Sequence, residues 1–174
     1  MNTATADAVS AIGSDTGGTV LVGTAQGRIL SCDTASGSLN AMKFDPALAV
    51  PGGQIYQFAF LGGGFAMARF GSALLRFDPN RNFWTAVAGN GLPPDEGLLQ
   101  FIAVDSVRTP AMLYSATDYS VHASWDAGAN WLPVGQGLPR RCHPSTLRFV
   151  SGADQQRNLC LFTYGRSAWT ARLQ

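Results

Sequence analysis

Charge is scarce in this chain. Of its 174 residues 13% are Asp, Glu, Lys or Arg, about half the ordinary share. The hydrophobic fraction is 46%, a balance that excludes a disordered tail. The formal net charge is +1, and Arg140-Arg141 is the one basic cluster. That removes the electrostatic case for nucleic acid or an anionic surface as partner. Lys43 is the single Lys beside eleven Arg, and Glu96 is the single Glu. Cysteine is sparse as well: Cys32, Cys142 and Cys160 make an odd count without CxxC spacing. A disulfide framework and a zinc site are therefore not expected, and the three thiols are read as buried or half-buried. No apolar run approaches the ~20 residues of a membrane helix, so no membrane span is expected. The opening "MNTATADAVSAIG" has neither a basic n-region nor a long apolar core, so it is not a signal peptide. As written, the chain reads as soluble and unaddressed. Convincing helical periodicity is missing too.

What is present is turn chemistry and repetition. Twenty Gly and nine Pro punctuate short segments with period-2 alternation. Four hairpins recur, in "TVLVGTAQGRILSCDTASGSL", "GFAMARFGSALLRFDPNRNFW", "AMLYSATDYSVHASWDAGANW" and "NLCLFTYGRSAWTARL". Their turn residues Gly27, Gly71, Tyr119 and Gly165 lie 44, 48 and 46 residues apart. An apolar segment precedes each hairpin, and in the first three another follows the turn at Asp33, Asp78 or Asp126. Four-stranded units of about 45 residues are the signature of a β-propeller blade. The expected fold is therefore all-β, with four-stranded antiparallel blades over 8–46, 53–91 and 98–138 and a three-stranded one over 145–174. Two Gly-Leu-Pro connectors, at 91–93 and 137–139, suit links between blades, because Pro cannot serve a central ladder.

The third unit carries Ser124-x-Asp126-x-Gly128-x-x-Trp131. This spacing resembles the Asp-box, or BNR repeat, found in sialidases, xyloglucan-active endoglucanases, sortilin-type receptors and photosystem assembly factors. The second copy is degenerate, with Arg76, Asp78, Asn80 and Phe83 in the four places. The first keeps Ser31 and Asp33 but has Ala35 and Ser38. The resemblance is to the repeat and not to any one enzyme. It implies a propeller in which these Asp turns lie on the outer rim, away from the channel face where the family's active sites sit. The local physics agrees with a structural role. An Asp in such a turn accepts backbone N–H bonds and stays ionised, Gly128 supplies a positive φ, and Asn80 is able to do so as well. Trp131 folds back over apolar blade surface.

Enzyme chemistry finds little to stand on. A sialidase needs converging Arg residues and a Glu-activated Tyr, and the chain has one Glu. A glycosidase pair would come from Asp15, Asp45, Asp95, Glu96, Asp105, Asp118 and Asp154, of which Asp105 reads as a strand-exit cap of its own backbone, Asp118 as a residue of the turn "TDY" and Asp95-Glu96 as solvated. Cys142 and His143 are adjacent and point to opposite sides of an extended chain. His122 reads as a packed or surface strand residue. No catalytic residue, metal or cofactor is expected. Tyr56, Trp84, Tyr114, Tyr119, Trp125, Trp131, Tyr164 and Trp169 recur at similar blade positions and are read mostly as core. Tyr119 and Tyr164, with Arg166 beside the latter, stand at second-to-third-strand turns and offer a stacking platform for sugar or peptide.

The chain thus reads as a non-catalytic interaction or scaffolding module for protein or glycan. The alternative is part of a glycoside hydrolase propeller whose catalytic residues lie partly outside it. The resemblance implies rings of six to ten blades, whereas just under four are encoded, a half-ring or a small closed ring. Three resolutions follow: a fragment, two chains sharing one ring, or closure by the four blades with "TATADA" (3–8) as an added strand. Self-association, a partner chain or a missing part is favoured over closure by four blades, and a fragment would allow a secreted or periplasmic protein.

Overall fold

The computed structural model describes residues 7–48, 53–71, 73–93, 101–134, 138, 143–151, 157–165 and 167–172. Cys142, Arg166, Asp95, Glu96, Asp154 and 3–6 of the N-terminal segment lie outside the described residues. Those described form strands and turns and no helix. They divide into two compact units, Met1–Val87 and Ala88–Gln174.

The first unit holds two blades. In blade 1, β1 (Val9–Ser14), β2 (Val20–Thr24), β3 (Ile29–Cys32) and β4 (Leu39–Ala41) pair in sequence order. The 180° alternation of these segments decides what each face carries. Gly13, Leu21, Ser31 and Asn40 lie in one row across the sheet, and Ile12, Val22, Leu30 and Ala41 in the row on the other face. After blade 1 comes β5 (Lys43–Phe44), and blade 2 follows with β6 (Ile55–Gly62), β7 (Phe65–Phe70), β8 (Ala73–Asp78) and β9 (Phe83–Ala86). Leu21 and Ile29 of blade 1 pack into one core with Ile55, Phe58, Ala66, Ala68, Phe70, Leu75 and Trp84 of blade 2. The two sheets come so close that a Cβ on Gly23 would lie 2.5 Å from the Ile55 side chain, so only glycine fits there.

The second unit repeats the plan. Blade 3 is β10 (Phe101–Asp105), β11 (Met112–Ala116), β12 (Val121–Ser124) and β13 (Leu132–Pro133). Blade 4 is β14 (Pro144–Ser151), β15 (Arg157–Thr163) and β16 (Ala168–Arg172), three strands among the described residues. Ala103, Tyr114, Ala116, Val121 and Ala123 pack on Leu147, Leu159 and Leu161 across the joint. The fold is that of a β-propeller built from small up-and-down antiparallel sheets, as the repeat predicts.

One element departs from expectation. The segment "SLNAMKF" was read as a single fourth strand, but it divides at Met42. Leu39–Ala41 closes blade 1, and Lys43–Phe44 adds to the outer edge of blade 2, parallel to Phe83–Trp84. The Met42 N–H still donates to Ile29 O of blade 1 at 2.9 Å, while the Asp45 N–H already donates to Trp84 O of blade 2 at 2.8 Å. The connector after blade 2 behaves alike: Asn90 donates to Ala129 O at 3.0 Å and accepts from Trp131 N–H at 2.8 Å. Gly91 has φ 86°, and a Cβ there would strike the Trp131 carbonyl.

Candidate functional site

The three Asp turns share a sequence register but not a geometry. In blade 3, Asp126 Oδ1 accepts from the Ser124 hydroxyl and the Asn130 N–H at 2.9 Å each, and Oδ2 accepts from the Asn130 side-chain amide at 2.7 Å. The Ser124 oxygen accepts from Gly128 N–H at 2.9 Å, and Trp131 Nε1 donates to Gly128 O at 2.8 Å. Positive φ falls at Ala127 and Gly128. Burial works to raise the Asp126 pKa, but the Asn130 and Ser124 hydrogen bonds outweigh it and hold the carboxyl below its ordinary value. Three of the roughly four acceptor sites of the carboxylate are thereby taken up inside its own turn. In blades 1 and 2 the carboxylates of Asp33 and Asp78 instead cap the N–H two residues on, Ala35 and Asn80, at 2.9 Å each. These are four-residue Asx-type turns. Their positive φ falls at Gly37 and Asn82, not at Asn80 as expected. The indole buried behind Asp78 is Trp84, whereas Phe83 is half-buried.

The hairpin end of the second unit brings side chains of two blades together. Thr117 closes the β11–β12 turn: its N–H donates to Ser120 O at 2.9 Å, and its hydroxyl oxygen accepts from the N–H groups of Ser120 and Tyr119 at 3.1 and 3.3 Å. Thr163 acts similarly at the β15–β16 turn, donating to Ser167 O at 2.7 Å. Between the two turns stands His143, held at φ 43°. Its carbonyl accepts from Tyr164 N–H at 3.0 Å, and its Nδ1 lies 3.8 Å from Asp118 Oδ1. Asp118, Tyr119, His143 and Tyr164 are therefore brought to one end by two blades. Tyr119 is half-buried and Tyr164 is 74% exposed. The sequence places Asp118 in its turn and sets His143 only beside Cys142, because no local pattern joins residues from two blades.

The opposite end of the same unit is closed by charge. Asp105, buried to 1% side-chain exposure, binds Arg157 of blade 4 and lies 3.5 Å from Arg108 Nε. It also caps Val107 N–H at 3.2 Å. Arg157 in turn stacks 5.0 Å above the Phe149 ring. Asp105 was expected to cap its own backbone, and it does so while tying two blades together. Burial raises the pKa of neighbouring Tyr114, whose hydroxyl donates to Met112 Sδ at 3.0 Å.

The aromatic set divides more evenly than expected. Trp84, Trp131 and Tyr114 are buried, but Tyr56, Trp125, Tyr164 and Trp169 are exposed, the last two on a blade with three described strands. Tyr56 supports the guanidinium of Arg69 at 4.3 Å. His122 is buried, Cys160 is buried and Cys32 half-buried. Among the described residues no three His, Cys, Asp or Glu gather as a metal site.

Comparison with known proteins supports the architecture. The chain is similar to a structure of YCF48 bound to D1 peptide, with a TM-score of 0.60 at 15% identity over 95% of this chain and 49% of that one. A protein of unknown function from Dyadobacter fermentans matches with a TM-score of 0.59 at 12% identity, over 94% of this chain and 59% of that one. The extracellular domain of a putative one-component system from B. thetaiotaomicron gives 0.54 at 13%, over 97% and 20%. No protein-family model matches the chain, and no curated protein matches it in sequence. The likeness is thus one of fold, and the chain spans about half the length of its first two structural neighbours. No helix of the described residues is long and apolar enough to cross a membrane.

Proposed function

We propose that the chain is a non-catalytic interaction module that binds an extended peptide segment of a partner protein at the hairpin end of its second unit. The carrying observation is the assembly of Asp118, His143 and Tyr164 from two blades, with the Tyr164 ring 74% exposed on a turn fixed by hydrogen bonds. A rigid aromatic beside a carboxylate and an imidazole suits a chain that offers an apolar side chain and backbone N–H groups. That a fold neighbour is a peptide complex supports a peptide over a glycan. The SWDAGANW turn is kept in this reading as an Asp-box, a structural staple of the third blade. The blade spans 8–46, 53–91, 98–138 and 145–174 remain its modules.

The test is a random-peptide array and a glycan array probed with the full chain and with Tyr119→Ala/Tyr164→Ala. The expected result is peptide binding that the double variant weakens at least tenfold, about 1.4 kcal/mol. Peptide binding that survives both substitutions, or glycan binding alone, would overturn the assignment of this face to peptide.

A further inference from the structure

Two methionines share an arrangement that neither the blade repeat nor the hairpin-end site uses. In the first unit the indole N–H of Trp84 donates to Met42 Sδ at 3.5 Å. In the second the Tyr114 hydroxyl donates to Met112 Sδ at 3.0 Å. Both donors are core residues, Trp84 at 0% exposure and Tyr114 at 5%. Burial also raises the Tyr114 pKa, so the phenol keeps the proton that it donates. Both acceptors are half-buried and pack against the edge of a core, Met42 against that of blades 1 and 2, Met112 against that of blades 3 and 4.

A thioether is a weak acceptor, yet a buried indole or phenol needs a partner. The backbones that carry the two sulfurs are fixed as well. Met42 N–H donates to Ile29 O at 2.9 Å, and Met112 stands opposite Asp105 in the β10–β11 ladder. Each sulfur is therefore held with one lone pair turned to an aromatic donor inside the core. Its other lone pair is on the side from which the half-buried residue meets solvent. Met67 differs in both respects. It is 0% exposed and lies in the middle of β7, opposite Ala59 and Arg76. Met1 lies outside the described residues.

We propose that Met42 and Met112 are modification sites, each taking one oxygen atom from a hydroperoxide on the lone pair that faces away from its aromatic donor. The lone pair attacks one peroxide oxygen and the O–O bond breaks. The sulfur, oxidised by two electrons, keeps that oxygen as a sulfoxide. The proton of the transferred hydroxyl passes to the departing oxygen, which leaves as water when the oxidant is hydrogen peroxide. The lone pair held by Trp84 or Tyr114 is withdrawn from this reaction, because its hydrogen bond must break first. One sulfur epimer is therefore favoured at each site, and reductases specific for one epimer reverse the change. The new oxygen points outward, so neither core takes in a polar group and each aromatic keeps its acceptor. The peptide face is not involved, since Met112 stands at the Asp105 end of its unit.

Hydrogen peroxide treatment of the full chain, followed by peptide mapping, tests it. The peptides are then divided between the two methionine sulfoxide reductases, each specific for one sulfur epimer. In the folded protein Met42 and Met112 are expected to gain oxygen ahead of Met67. At each of the two sites one reductase is expected to repair about five times as much sulfoxide as the other, the ratio that follows from breaking one hydrogen bond before attack. The chain oxidised in urea is the reference, where Met67 reacts as well and the epimers form in near-equal amounts. Tyr114→Phe removes the donor and keeps the ring. It is expected to speed oxidation at Met112 and to even out its epimers, while an unchanged ratio at Met42 shows that the variant is folded. Equal epimers at Met42 or Met112 in the folded wild type would overturn the proposal, and that result needs no variant. Oxidation of Met67 as fast as the other two would do the same, as would a folded Tyr114→Phe variant whose Met112 epimers stay unequal.

Discussion

At the residue scale, Asp126 illustrates how one side chain is withdrawn from chemistry by its neighbours. Its folded pKa is depressed below the ordinary value of an Asp carboxyl, so the hydrogen-bonded carboxylate contributes stability that is present above that ordinary value. The contribution is lost as pH falls through the depressed folded value. Asp126→Asn should therefore lower the urea midpoint at pH 7, and the gap to wild type should close as pH falls below about 4. A gap of constant size across that range would remove the carboxylate from the account. This turn was legible in sequence because Ser124, Asp126, Gly128 and Trp131 all act locally. The copies at Asp33 and Asp78 were legible only as turns. The second copy has Arg76 in place of the Ser, and in the first the Ser31 hydroxyl donates to Asn40 O at 3.4 Å instead; both carboxylates cap the N–H two residues on, and the sequence register does not reveal that change.

At the scale of elements, the joints between blades carry what the sequence hid. Strand existence followed from period-2 patterning, and β1, β6, β10 and β14 appear where the apolar segments before each hairpin placed them. The assignment of Lys43–Phe44 did not follow, because an alternating pattern does not say which of two neighbouring sheets a residue pairs with. Nor did the Asp105–Arg157 contact, which joins residues 52 apart. Asp105→Asn should destabilise the protein by about 3 kcal/mol, the low end for breaking a buried pair, since the Arg157 side chain is 28% exposed and keeps some water. Arg157→Met added to Asp105→Asn should recover part of that loss in a double-mutant cycle. Strict additivity would mean the two side chains do not interact. The candidate site shares this limit: Tyr119 and Tyr164 could be named from their turns, but His143 and Asp118 join them only through the packing of blade 3 on blade 4.

At the scale of the whole molecule, cover is uneven from strand to strand. Every described residue of β11 after Met112 and every residue of β12 is buried, whereas β4, β13 and β16 are exposed throughout. Amide exchange should accordingly run fastest in peptides from β16 and slowest in those from β11 and β12. Equal protection in β16 would show that a strand covers its outer edge. The path of the chain beyond β4 has a consequence for descent. Lys43–Phe44 belongs to the first repeat in sequence but to the second blade in space, and Asn90 stands in the same relation to the third. A duplicated stretch cut where the blade's own strands end would leave its successor without this strap. The heritable module is therefore not the blade itself but a blade together with the first residues of the connector beyond it. Neighbouring modules overlap in space like roof tiles, and copying by whole repeats keeps every overlap intact.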